Sequence, residues 1–202
     1  MKYLTGLMCF ALLSCGAKAP EGTFTQDESG VVVTPAAGAA GRVRIAVRSD
    51  HIVRVTAVPD ENLELPASLM AVDAAAPPPA FKVQNKDGDL TVSTAALVAH
   101  VSLVSGAVRF SDAGGKTLLV ENSARAFGKG VSQRFNPGTD EAFFGLGQHQ
   151  NAQMNLNGED VELAQHNMDI GVPFVVSSRN YGVLWDNTSI TRFVNPKPYG
   201  LA

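Results

Sequence analysis

The side chains with chemical potential in this 202-residue chain crowd into its last third. Gln148, His149 and Gln150 follow a Gly145-Leu146-Gly147 bend. Glu159, Asp160 and Glu162 come next, and Gln165-His166-Asn167-Met168-Asp169 closes the set. Two histidines and three carboxylates suggest a metal, but their spacing fits no known site and no helix would present them together. Glu159 and Glu162 as a free-standing acid/base pair would need surroundings that drive their pKa values apart, and nothing beside them in sequence does so. Gly-x-Gly with no helix after it cradles no phosphate. Gln148 to Gln150 read at least as well as local hydrogen bonding in a turn, and Gly145 and Gly147 as crowded or positive-φ backbone. Tyr181 and Trp185 offer faces on which a sugar ring could stack, yet Trp185 sits in an apolar run and reads better as core. No metal and no cofactor is expected.

These groups need a frame, and the pattern around them is that of strands. Arg42-Val43-Arg44-Ile45-Ala46-Val47-Arg48 alternates polar and apolar residues, the period of a half-buried strand. His51 to Val58 repeats the theme, with Ser49-Asp50 as the turn of a hairpin. Val31-Val32-Val33 opens the first strand. Residues 59–79 form a long, proline-punctuated surface loop. Phe81–Gln84, Leu90–Val92, Leu97–Val104, Val108–Phe110, Leu118–Val120 and Val131–Phe135 are further short strands, with Asp87-Gly88 suited to a tight hairpin turn. Two buried strands, Ile170–Val176 and Tyr181 onward, meet at a turn on Asn180, Tyr181 and Gly182. No capped amphipathic helix of useful length is evident. Short strands with turn signals every eight to twelve residues predict an all-β fold, an antiparallel β-sandwich.

Composition agrees. A chain 45% hydrophobic and 17% charged packs as a globule. Its formal charge of −3 carries no basic footprint, so nucleic acid is an unexpected partner. The first residues stand apart. Lys2 precedes an apolar run, Leu4 to Leu13, too short for a permanent span, and Leu12-Leu13-Ser14-Cys15-Gly16 resembles a bacterial lipobox. Residues 1–14 are expected to be a lipoprotein signal peptide, with Cys15 lipidated and residues 15–30 a flexible tether. Gly16 rather than aspartate after Cys15 suggests sorting to the outer membrane, so the chain is placed in the cell envelope. Cys9 would leave with the signal, so the folded part would have no disulfide.

Residues 143–193 are more specific. Phe144-Gly145-Leu146-Gly147-Gln148-His149-Gln150 resembles the "YGLGE" signature in the N-terminal domain of glycoside hydrolase family 31. Pro173-Phe174-Val175-Val176-Ser177-Ser178-Arg179-Asn180-Tyr181-Gly182-Val183-Leu184-Trp185-Asp186-Asn187 is similar to that domain's strand, Tyr-Gly turn, strand and Asp-Asn element. Gln148-His149-Gln150-Asn151 together with Leu163 to Asn167 is most like the bacterial α-xylosidase branch.

The resemblance implies a galactose-mutarotase-like β-sandwich over residues 31–194, with 195–202 a truncated tail. After it in such enzymes comes a (β/α)8 catalytic barrel whose two aspartates, nucleophile and acid/base, perform retaining hydrolysis. Neither carboxyl is assignable here, so the chain alone is expected to be inactive, an accessory domain of an exported α-xylosidase-like enzyme. Its partner would be an oligosaccharide with α-linked xylose or glucose, bound only with the barrel. The resemblance further places His166, Asn167 and Met168 on a loop that walls the sugar subsite. Many relatives have an aspartate near Asn167, and an amide still donates and accepts. The alternative is a stand-alone lipid-anchored carbohydrate-binding module.

Overall fold

The computed structural model describes residues 21–64, 66–72, 77–150 and 153–195, with backbone alone at 123 and 124. The expected signal peptide, Cys15 and the chain from residue 196 on lie outside the described residues. Within them the fold is all-β and antiparallel, without helix.

Alternating side chains build two facing sheets. The first comprises β1 (Thr23–Asp27), β2 (Gly30–Thr34), β3 (Arg42–Ser49) and β4 (Ile52–Val58), adjacent in chain order. The second comprises β5 (Lys82–Lys86), β6 (Asp89–Ser93), β7 (Leu97–Ser102), β8 (Val108–Asp112), β9 (Thr117–Ala126) and β10 (Ser132–Phe135), again a meander. Val31, Val33, Val43, Ile45 and Val47 from one sheet and Leu90, Val92, Ala99, Val101 and Val108 from the other pack into one core. This is the layered arrangement that a period of two demands when one face of each sheet must leave water.

One expectation is corrected here. Residues 23–27, read as tether, form β1 and pair with β2 from Thr23↔Thr34 to Asp27↔Gly30. Phe24 packs against the core and gives this polar segment a reason to stay. The strand at Val31 is therefore the second, not the first.

The last third forms its own smaller core. β11 (Phe143–Gln148), β13 (Ile170–Ser177) and β14 (Tyr181–Leu184) make one sheet with β13 in the centre. β12 (Asp160–Leu163) and β15 (Thr191–Val194), neither anticipated from the sequence, form a two-stranded ribbon. Phe143, Leu146, Leu156, Val161, Leu163 and Val175 are buried together, with Tyr181, Val183 and Phe193 against them. The Phe143 and Phe193 rings meet edge to face, centroids 6.2 Å apart.

Candidate functional site

The Gly-Leu-Gly bend is a bulge with a purpose. β11 pairs with β13 at Gly145↔Val175 and then shifts register to Gly147↔Gly171 and Gln148↔Ile170. A Cβ on Gly147 would lie 1.8 Å from the Ile170 carbonyl oxygen, and its φ is 99°, so only glycine lets the strands close there. Between the glycines Leu146 takes φ 64° and drops its side chain into the smaller core. His149 Nε2–H donates to the Leu146 carbonyl at 2.9 Å and ties off the bulge. The turn-bonding reading of His149 is the one that its geometry supports.

This register carries the end of β11 to the start of β13, and hence to the loop between β12 and β13. Two polar sets separated in sequence, Gln148-His149 and Gln165–Asp169, meet at one rim. The loop holds itself up. His166 N–H donates to Ala164 O at 3.1 Å, Asp169 N–H to His166 O at 3.3 Å, and Gly171 N–H to the Gln165 side-chain oxygen at 3.0 Å. His166, Asn167 and Met168 all lie exposed on it. Met168 has φ 74° and is 66% exposed, a strained position for a long side chain, costing on the order of 1–3 kcal/mol. His166 Nε2 stands 3.4 Å from Glu162 Oε2, a loose contact between exposed groups. Asp169 Oδ1 is buried and has no hydrogen-bond partner.

One of the acidic residues nearby is otherwise engaged. Asp160 is bound through both carboxylate oxygens by Arg192, each contact 2.6 Å. Among the described residues no three His, Cys, Asp or Glu side chains are placed to hold a metal ion. Trp185 is half-buried one residue past β14, its N–H extending the ladder to the Pro173 carbonyl at 2.8 Å.

At the opposite end of β13 lies a residue that sequence reasoning missed. Glu141 is 3% exposed, just ahead of β11. Its Oε1 accepts from the hydroxyls of Ser177 and Tyr181, and its Oε2 from Gly138 N–H at 2.7 Å, with Arg179 Nε 3.7 Å away. Asn157 donates to its carbonyl at 2.5 Å and is itself held by Asn195 at 2.7 Å. Burial pushes the Glu141 carboxyl up, but the bonds from Ser177, Tyr181 and Gly138 and the Arg179 charge outweigh it and hold the group below its usual range. Burial and the hydrogen bond to Glu141 push the Tyr181 hydroxyl up. Nothing in the local pattern around Glu141 marks it, because its partners Ser177, Arg179 and Tyr181 arrive from 36 to 40 residues away.

Between these two ends runs an unusual surface. β13 turns Val175 and Ser177 inward but Ile170, Val172, Phe174 and Val176 outward, and β14 adds Leu184 to the outer side. Phe174 is 42% exposed, its ring lying over Gly182, where a Cβ would come within 2.7 Å of it. These strands were expected to be buried; instead only one face is. The other is apolar and open.

A sequence profile described as the glycosyl hydrolase 31 N-terminal galactose mutarotase-like domain matches residues 42–193. The chain belongs to this family. A family 31 α-xylosidase from Xanthomonas citri superposes with a TM-score of 0.74 at 42% identity, covering 87% of this chain and 19% of that one. A second family 31 α-xylosidase, from a soil metagenome and complexed with xylose, gives 0.68 at 25% identity, covering 85% of this chain and 29% of that one. An α-xylosidase of Saccharolobus solfataricus is 41% identical over 69 residues, 30% of this chain and 9% of the relative. The domain thus spans under a third of each of these proteins. Its fold is galactose-mutarotase-like, as the signature residues led one to expect.

Proposed function

We propose that this domain is the N-terminal accessory β-sandwich of an exported, α-xylosidase-like family 31 glycosidase. Its apolar β13–β14 face seats a catalytic barrel, and its 165–169 loop shapes the sugar subsite of that barrel. The observation that carries this reading is the outer face itself. Antiparallel sheets that face water alternate apolar and polar residues, whereas Ile170, Val172, Phe174, Val176 and Leu184 leave this one without a polar side chain on β13. An open patch of that kind marks a surface made for another body. The rim of Gln148, His166 and Asn167, with the exposed Met168 beside them, ends the face where an active-site mouth would lie. Asn167 makes no hydrogen bond among the described residues and keeps its amide free for a hydroxyl. Anchoring through lipid on Cys15 at the outer membrane completes the proposal.

The test is a transplant. Residues 42–193 replace their counterparts in the Xanthomonas citri α-xylosidase, and hydrolysis of an aryl α-xyloside is measured. The chimera retains activity, Asn167→Ala raises KM more than it lowers kcat, and this chain alone hydrolyses nothing. Cleavage by the chain alone would overturn the accessory role. A chimera that folds but tolerates Asn167→Ala and Met168→Ala without any change would remove the loop from the subsite.

A further inference from the structure

The turn that leads into β12 carries a chemistry of its own. Asn157 is the one asparagine of the sequence that is followed by glycine. Gly158 has φ 89°, a left-handed turn position that favours glycine. The missing side chain also leaves the Gly158 nitrogen unshielded beside a thermolabile amide. In an open chain such a pair cyclises. The Gly158 nitrogen bonds to Asn157 Cγ, the Cγ–Nδ2 bond breaks, and ammonia leaves with the proton of the Gly158 N–H. Water then opens the succinimide ring at one or the other carbonyl and leaves aspartate or isoaspartate at 157. Water is the only co-reactant.

The folded chain holds the groups of this reaction in other bonds. Gly158 N–H donates to the Asn195 carbonyl at 2.8 Å, so the nucleophile keeps its proton. Asn157 Nδ2 donates to the Glu141 carbonyl at 2.5 Å, and Oδ1 accepts from Asn195 Nδ2 at 2.7 Å, which pins the side-chain amide at both ends. Asn195 N–H donates to the Glu159 carbonyl at 2.9 Å. From one residue past β15, Asn195 thus clasps 157, 158 and 159 together.

We propose that Asn157 is a deamidation site gated by the β12–β15 ribbon, and that its conversion to a carboxylate keeps the ribbon from closing again. Ring closure needs the bonds at Asn157 and Gly158 released together, and local opening of the ribbon releases them. The product then has an acceptor where Nδ2 donated, so carboxylate oxygen faces the Glu141 carbonyl with no proton between them. An isoaspartate also lengthens the backbone ahead of β12 by one methylene, against the register Asp160↔Val194. Val161, Leu163 and Phe193 then lose their seats in the smaller core, and the 165–169 loop loses the strand that it follows. The site needs neither a barrel nor a sugar.

Peptide mapping by mass spectrometry tests it on the full chain, kept at mildly alkaline pH with and without unfolding urea. In urea, Asn157 is the first asparagine to become an acid; in the folded chain its conversion is about tenfold slower or more. Asn195→Ala, which removes one clasping bond, speeds conversion about fivefold. It speeds hydrogen exchange of the Gly158 amide by the same factor, because both reactions pass through one opening. Asn157→Asp, the product made directly, loses exchange protection at β12 and β15 while β3 and β4 keep theirs, which also shows that the variant is folded. Equal rates in folded and unfolded chains overturn the proposal, as does another asparagine converting first in urea. So does an Asn195→Ala chain whose Gly158 exchange quickens without its deamidation. A ribbon as protected in Asn157→Asp as in the unmodified chain overturns the one-way release.

Discussion

In the sandwich, β3 buries Val43, Ile45 and Val47 and turns Arg42 and Arg44 outward; in the smaller body, β13 buries Val175 and turns Ile170, Val172, Phe174 and Val176 outward. Both strands keep the period of two. They differ in what the second face is for. The first ends in ion pairs with Glu61 and Asp27 and is finished against water. The second ends in hydrocarbon and stands open. One half of the domain is finished against water by charged side chains, and the other leaves an apolar strip open.

The contrast is most sharply broken by emptying the self-sufficient core. Leu90 is fully buried between the sheets. Leu90→Ala removes its side chain where surrounding strands cannot collapse, and a loss of about 2–5 kcal/mol in urea unfolding is expected. An equivalent loss from any residue of the outer β13 face would mean that the face is already covered.

The buried carboxylates of the two halves respond oppositely to acid. Glu141 titrates below its ordinary value of 4.5 in the folded chain. Its contribution is present above that value and is lost as pH falls through the folded pKa. Glu121 accepts from Val108 N–H at 3.0 Å and from Arg125, but burial pushes it above 4.5. Its contribution is present below that value and is lost as pH rises through the folded pKa. Glu141→Gln leaves buried donors poorly matched and lowers stability by about 1–3 kcal/mol. It also flattens the decline of stability below pH 4.5, whereas Glu121→Gln removes a loss of stability that sets in as pH rises above 4.5. Urea midpoints across the acid range read both. A Glu141→Gln variant with an unchanged acid limb would show that Glu141 is not the group holding the smaller body together.

Legibility in the sequence followed the same division. Strict alternation made β3 and β4 readable, and Asp87-Gly88 placed the β5–β6 turn, because each is a local pattern with a local cause. β1 escaped because Thr-Phe-Thr-Gln-Asp is an edge strand with one anchoring side chain, Phe24. β12 was hidden among its own acids: Asp160 and Glu162 looked like chemistry, though they are the outward half of an alternation whose inward half is Val161 and Leu163. The Gly145-Leu146-Gly147 bend was legible as crowded, positive-φ backbone, but not the register shift by which it sets Gln148 across from Ile170. Glu141 carries no signal at all, since its meaning comes from the far end of β13.

A milder effect is expected where the halves touch. Asp186, just after β14, accepts from Arg54 Nη2 on β4 and from Ser68 Oγ, each at 2.7 Å. Both ends of the ion pair are partly exposed, so Asp186→Asn costs only about 0.5–1 kcal/mol. Its sharper readout is cooperativity. With the clamp loosened, Trp185 fluorescence, which reports the smaller body, loses coincidence with far-UV circular dichroism, which reports all the strands. Coincident transitions would mean that packing, not Asp186, couples the two cores.

The smallest change in stability is expected on the open face, and it is the one that decides what the face is. Phe174→Ser removes an exposed ring whose main neighbour is the backbone of Gly182, so the unfolding midpoint of the isolated chain moves by no more than about 0.5 kcal/mol. Solution behaviour changes more. The unmodified chain, with an uncovered strip of Ile170, Val172, Phe174, Val176 and Leu184, associates as its concentration rises, and the variant stays monomeric in light scattering. Carried into the Xanthomonas citri chimera, the same substitution should cost stability in proportion to the contact that it breaks, because there the ring is inside. A residue that is idle in the free domain and costly in the assembled enzyme belongs to an interface. If Phe174→Ser is equally silent in both, the barrel does not sit on this face.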